Sequence, residues 1–366
     1  DRMPTNLSLS WDLTLPRSAP WSAFSCCLVC CWLCRPVWRG AFFSDRALVG
    51  WGLLALAAGG GLAALANGFD MLAWGRIACG VGFIVSSIFF AKMVADWFAG
   101  KELATAMGML VMSWPFGIAM GQVSQGWVAL VYDWRTVFAV ASIYRLIGAA
   151  LVVLFYRRPE QEQAVPVAVP FGLSRRELGL TVVAALVWGF FNAAYIVYLG
   201  FAPRILVQGG FGQVEALSII SLASWVMIFS AAICGQISDR SGKPDLILYV
   251  CMGVAVAVFA LLPLIEFAVP LSLVFGLIGA APAGVIMALT VEAMVAEKRA
   301  FGMAVFISIA ALMMAAAPGI AGWLFDQSGD PYWPILFGAA LLVLTAASNV
   351  AFRALQRKFP LVENGA

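Results

Sequence analysis

Apolar residues in this chain come in long unbroken runs, separated by short polar breaks. A helix needs about 20 mostly apolar residues to cross the hydrocarbon core of a bilayer, so the pattern predicts membrane-spanning helices. Ten runs qualify: 47–69, 72–97, 103–132, 134–156, 178–203, 216–238, 246–265, 267–291, 300–325 and 331–352. The breaks carry turn chemistry, as in Asn67-Gly68, Gly209-Gly210 and Asp326-Gln327-Ser328-Gly329-Asp330. Breaks this short make successive helices antiparallel neighbours. The expected fold class is an all-α membrane protein.

One break is longer. Residues 157–177 are polar, charged and punctuated by proline, and read as a linker between two helical halves. The expected organisation is an atypical segment 1–43, a first bundle 44–156, the linker, a second bundle 178–356 and a tail 357–366. Lysine and arginine collect on the cytoplasmic side of membrane proteins. Alternate breaks hold Arg46, Lys101, Arg157, Arg158, Arg175, Arg176, Arg240, Lys243, Lys298, Arg299, Arg353, Arg357 and Lys358. The other set holds Arg135 and Arg204, with Arg76 just inside a helix end. The linker and the C-terminus are therefore expected in the cytoplasm, with the chain in the inner (plasma) membrane.

Composition sharpens this picture. Of the 366 residues, 63% are hydrophobic and 11% charged, against roughly 25% charged in soluble domains. A net charge of +3 is too small to point to nucleic acid. The chain lacks histidine, so the usual metal ligand and general base are missing. Cys26, Cys27, Cys30, Cys31 and Cys34 cluster in an apolar run, but the spacing and the missing histidine give no metal site. There is no Walker loop and no Ser/His/Asp set, so neither an enzyme nor an ATP-driven pump is expected. The expected partners are a small-molecule substrate and lipid, with a monomeric chain and no cofactor.

The chain repeats itself. Ser44-Asp45-Arg46 recurs as Ser238-Asp239-Arg240, and Ala106-Met107-Gly108-Met109 is echoed by Ala300-Phe301-Gly302-Met303, both displaced by 194 residues. Two matches at one offset make the chain two related halves. Internal repeats in a helical membrane protein point to a transporter, with its binding site between the halves. The same offset places the partner of helix 216–238 at about 22–44 and that of helix 178–203 before residue 1. The first helix of the first half is thus expected to be missing. Residues 1–43 have a Cys/Trp/Arg/Pro texture unlike the rest, as a shifted reading frame or a degenerate remnant would give.

Gly235-Gln236-Ile237-Ser238-Asp239-Arg240-Ser241-Gly242-Lys243 resembles the G-x-x-x-D-R-x-G-[RK] loop of the major facilitator superfamily. Arg76-Ile77-Ala78-Cys79-Gly80-Val81-Gly82 resembles the R-x-x-x-G-x-G pattern of that family's fourth helix. Asp133-Trp134-Arg135-Thr136-Val137-Phe138 resembles the start of its sixth helix, and 319–326 the end of its eleventh. Other details are similar to its cyanate/nitroimidazole-type branch. The resemblance covers 44–356 and implies a two-bundle transporter whose ten visible helices are helices three to twelve. The first loop copy departs from the pattern, since Arg46 is followed directly by Ala47-Leu48-Val49. The function implied is secondary transport by alternating access; the alternative is a non-transporting remnant of such a protein.

The resemblance makes Gly235, Asp239, Arg240, Gly242 and Lys243 a gating loop, with Asp45 and Arg46 as its first-half counterpart. Gly242 suits a tight turn, and a carboxylate such as Asp239 can face the positive N-terminal end of a neighbouring helix. An ionisable residue inside a span costs roughly 2.5–3.5 kcal/mol and is a functional candidate by default. Arg76 lies one turn inside its helix, Arg145 about 16 Å into its own at 1.5 Å per residue, and Lys92 near a cytoplasmic end. The carboxylates Asp70, Asp96, Glu266 and Glu292 sit near helix ends and none is mid-span, which favours an anionic substrate. Trp188, Asn192 and Tyr195 share one helix face at i, i+4, i+7. With Gln122 they are candidates for the substrate path, or for helix–helix hydrogen bonding.

Overall fold

The computed structural model describes residues 45–98, 103–157, 172–294 and 298–359. The expected segment 1–43, the Cys26–Cys34 cluster and most of the linker lie outside these residues. The chain divides into two compact units whose boundary along the sequence falls between Val165 and Pro166, inside the expected linker.

The first unit contains α1 (Asp45–Ala64), α2 (Phe69–Trp97), α3 (Leu103–Val131) and α4 (Trp134–Phe155). Glycines dictate how α1 meets α2. A Cβ built on Gly52 would stand 2.9 Å from the Ser86 backbone N, and one on Gly59 would stand 2.5 Å from the Gly75 carbonyl. The reciprocal positions Gly75 and Gly82 would collide with the backbone of α1 in the same way. Two glycines seven residues apart on each helix thus form a seam where the backbones touch, the usual device for packing helices in lipid. Gly60 faces the other way, toward α4. Arg135 Nη2 ties the two ends of this unit's loops by donating to the Ala66 carbonyl at 3.1 Å.

The second unit contains α5 (Arg175–Gln208), α6 (Gln213–Ser241), α7 (Pro244–Leu261), α8 (Ala268–Val274), α9 (Ala283–Ala293), α10 (Arg299–Ser328) and α11 (Tyr332–Lys358). Helix α5 is the axis of the unit, packed against α11, α10, α9 and α6. It begins earlier than the hydropathy pattern predicts because Ser174 caps it. The Glu177 N–H donates to Ser174 Oγ at 3.2 Å and the Ser174 N–H donates back to Glu177 Oε2 at 2.7 Å, a full capping box. It also runs on through Pro203 to Gln208.

The expected span 267–291 is not one continuous helix. Between α8 and α9, residues Phe275–Gly279 form a π-helical turn, followed by a break at Ala280–Pro282. A Cβ on Gly276 would strike the backbone of Ala223, so α6 lies directly on this turn. The core around it is aromatic: Tyr198 packs on Phe259 and Phe275 with centroids 5.4 and 4.5 Å apart.

Among the described residues, nine helices are long and apolar enough to cross a membrane, counting 265–290 as one span. The chain is a multi-pass, all-α membrane protein. The tenth expected span is α3, a continuous helix of 29 residues with Pro115 inside it.

Candidate functional site

The loop between α6 and α7 is built by one left-handed residue. Gly242 caps α6 at φ +61°, ψ +19°, and its N–H donates to the Ser238 carbonyl at 3.0 Å. A side chain there would be strained. Pro244 then opens α7 at its first position, where its missing N–H costs nothing. Asp239 and Arg240 stand exposed in the last turn of α6, Lys243 is exposed beyond it, and Gly235 is half-buried one turn earlier. In the first unit the counterpart pair sits differently. Asp45 is the first residue of α1, half-buried, where the helix dipole favours a carboxylate. Arg46 beside it is exposed.

Next to the α6–α7 loop lies an ionic cluster that hydropathy reading passes over. Arg353 on α11 donates from Nε to both oxygens of Asp245, at 2.8 and 2.9 Å, and from Nη1 to Glu292 at the end of α9. Gln356 Nε2 also donates to Glu292, at 2.9 Å, and the fully buried Asn349 donates to Asp245 at 3.0 Å. Three helix ends are thereby clamped by one guanidinium. A second ion pair closes the start of α5, where Lys298 Nζ reaches the buried Glu177 carboxylate at 2.9 Å. The S-x-x-E signature at 174–177 was the available signal for that carboxylate. Asp245, Glu292 and Arg353 had none, being far apart in sequence.

Of the candidate path residues, Trp188, Asn192 and Tyr195 do share one side of α5. Trp188 is half-buried and tilted against Phe191 at 6.2 Å between ring centroids. Asn192 is buried and its amide donates to the Trp188 carbonyl at 2.8 Å. The Tyr195 hydroxyl lies 2.6 Å from Ser224 Oγ on α6. Gln122 is half-buried on α3, with a buried Oε1 that has no hydrogen-bond partner among the described residues.

Arg145 is half-buried and turned toward α1, whereas Arg76 on α2 is exposed. Arg145 Nη1 would be 3.0 Å from a Cβ on Gly60. The Lys92 side chain lies outside the described part of the structure.

These features can be set beside known proteins. The sequence model of the Major Facilitator Superfamily matches residues 5–281, beginning inside the atypical segment. The chain is 29% identical over 204 residues to the hexuronate transporter of Bacillus subtilis, covering 53% of this chain and 47% of that protein. It is 26% identical over 336 residues to an MFS-type efflux pump of Mycolicibacterium smegmatis, covering 85% of this chain and 75% of the pump. In fold it is similar to a bacterial homolog of the human lysosomal transporter Spinster, crystallised inward-facing and unoccupied. The TM-score is 0.70 at 16% identity, covering 95% of this chain and 89% of that one.

Proposed function

The chain belongs to the Major Facilitator Superfamily, and on that footing we propose that it is a secondary transporter carrying a small anionic solute by alternating access between its two helical units. The observation that carries the choice of solute is the balance of charge inside the spans. Arg76 and Arg145 lie within helices of the first unit, and among the described residues no carboxylate lies mid-span. A cation kept in a span is a functional candidate by default, and an unneutralised pair selects for negative charge. The hexuronate transporter, by its name, carries a carboxylate, which supports the same reading.

The loop Gly235, Asp239, Arg240, Gly242 and Lys243 acts as a latch for one state, with Asp45 and Arg46 as its first-unit counterpart. A latch must be breakable, and a carboxylate against a helix end is worth about 0.3–2 kcal/mol, which thermal motion can open. Gln122, Trp188, Asn192 and Tyr195 contribute to the solute path. The protein acts as a monomer in the plasma membrane, with the 157–177 linker and the C-terminus in the cytoplasm, in keeping with the lysine and arginine bias. Expression in cells lacking uptake of small organic acids tests the proposal. Saturable uptake of an organic acid is expected; uptake restricted to neutral solutes would remove the anionic part of it.

A further inference from the structure

A cleft of about 220 Å³ opens at the end of the first unit where α1 begins and α4 stops, lined by Arg46, Ala47, Gly50, Trp51, Leu54 and Val153. Small residues make it. Gly50 has no side chain, and Ala47, one turn earlier, has only a methyl group. Val153 of α4 closes on this hollow, so that a Cβ on Gly50 would stand 3.2 Å from its Cγ2. The apolar walls are open to the surroundings: Trp51 is 65% exposed, Leu54 42% and Val153 38%. From Arg46 to Leu54 the helix rises about 12 Å. That is most of one leaflet of a hydrocarbon core about 30 Å thick.

The mouth of the cleft is cationic. Helices α1 and α4 run antiparallel, since Gly50 meets Val153 and Gly60 meets Ser142. One turn beyond the Gly50–Val153 contact come Arg46 on α1 and Arg157 just past the end of α4, both exposed. The Arg157 backbone is held in place, because Trp97 Nε1 donates to its carbonyl at 3.0 Å. Among the described residues neither guanidinium has an ion pair or a hydrogen bond, and Asp45 beside them pairs with neither. Trp51 and Trp97 are both more than half exposed at this end, and indole rings settle at the level of lipid headgroups.

These features select among occupants. Sites that enclose a small solute run to roughly 300–1,000 Å³ and cover most of the ligand. This cleft is smaller and open, so it suits part of a molecule. An inorganic anion would use the arginines and leave the apolar floor bare. An acyl chain with a phosphate at its head uses both. The phosphate accepts from the guanidinium forks, and the chain lies over Gly50 against Trp51, Leu54 and Val153. The lysine and arginine bias puts this end at the cytoplasmic leaflet, where anionic lipids collect and basic pockets between helices bind their headgroups.

We propose that the cleft between α1 and α4 holds one anionic phospholipid, with its phosphate on Arg46 and Arg157 and one acyl chain along Ala47, Gly50 and Leu54. The site takes its leaflet from the orientation proposed above and is independent of the solute carried. A lipid seated there touches both helices and binds only the folded unit, so it stabilises that unit by mass action.

The test uses the full chain in a non-ionic detergent, offered equal amounts of dioleoylphosphatidylglycerol and dioleoylphosphatidylcholine and read by native mass spectrometry. One phosphatidylglycerol should be retained in preference to phosphatidylcholine. Arg46→Gln and Arg157→Gln should each cut that preference about fivefold, the worth of one arginine near a lipid surface, and the double variant should show none. Val153→Trp fills the cleft and keeps both arginines, so it should also lose the lipid; loose attraction to surface charge would not notice the change. Where that variant does not fold, Leu54→Asn, which makes the floor polar at an exposed position, should weaken retention. Equal retention of the two lipids by the unmutated chain overturns the site, and is the result expected if another segment of the protein fills the cleft. A preference that survives the double arginine variant, or that is untouched by both cleft variants, overturns it as well. So does displacement of the lipid by millimolar inorganic phosphate, which would make the arginines a plain anion site.

Discussion

Lys298 and Glu177 form an ion pair at 2.9 Å across 121 residues of sequence, with the glutamate side chain 7% exposed and the lysine 29%. The same carboxylate completes the capping box of α5. One side chain therefore fixes the start of the central helix of its unit and ties it to the start of α10. Leu173 packs near Gly302 on α10, so apolar contact accompanies the charge.

Removing one partner of this pair leaves the other desolvated. Lys298→Met should cost about 1–3 kcal/mol, below the full buried-pair figure because the lysine is partly in solvent. Glu177→Gln should cost a similar amount and Glu177→Ala more, since the alanine also loses the cap. Thermal unfolding of the purified protein in detergent reads these differences; equal stability in all three would show that the pair contributes nothing.

Arg353 should matter more. It neutralises both Asp245 and Glu292, so Arg353→Gln leaves two carboxylates near each other without their cation. A loss of about 2–3 kcal/mol is expected, below the figure for a fully buried pair because the Asp245 and Glu292 side chains are 37% and 38% exposed. The triple variant Asp245→Asn, Glu292→Gln, Arg353→Gln should recover much of it, because no uncompensated charge remains. Denaturation midpoints of the two variants give the comparison.

Gly242 and Gly59 should fail in different ways. At Gly242, with φ +61° and open space around it, alanine meets only backbone strain, roughly 1–2 kcal/mol, and asparagine less. At Gly59 a Cβ would stand 2.5 Å from the Gly75 carbonyl, so alanine must push α1 and α2 apart. Gly59→Ala is expected to lower folded yield sharply where Gly242→Asn leaves it near normal, measured by size-exclusion profiles of the two proteins.

Asp239→Asn should leave stability unchanged within about 0.5 kcal/mol, as for exposed surface changes, yet shift the balance of states away from outward-facing. Labelling rates of cysteines placed along α5 report that shift. Identical rates in both proteins would mean that the loop is not a latch.

The long apolar runs made the helices legible, because lipid demands about 20 apolar residues whatever the neighbours do. The ends were read less well. Leu178 looks like the start of α5 by hydropathy, yet Ser174 and Glu177 move it to Arg175 by capping. The span 267–291 reads as one helix; the π-helical turn at Phe275–Gly279, packed through Gly276 on Ala223, and the break at Ala280–Pro282 divide it. Arg145 was legible as an anomaly, a cation deep in a span. Its turn toward Gly60 was not, because that depends on which face of α4 meets α1. The Arg353 cluster was hidden for the same reason: 61 and 108 residues separate its partners.

The central claim is that this chain carries an anion through a membrane. Entrance counterflow in proteoliposomes loaded with unlabelled glucuronate addresses it most directly, since it needs no coupling ion. Labelled glucuronate should accumulate transiently above its outside concentration, and glucose should not. If none of a panel of small organic acids, each preloaded in turn, drives accumulation beyond that in protein-free vesicles, the account is contradicted.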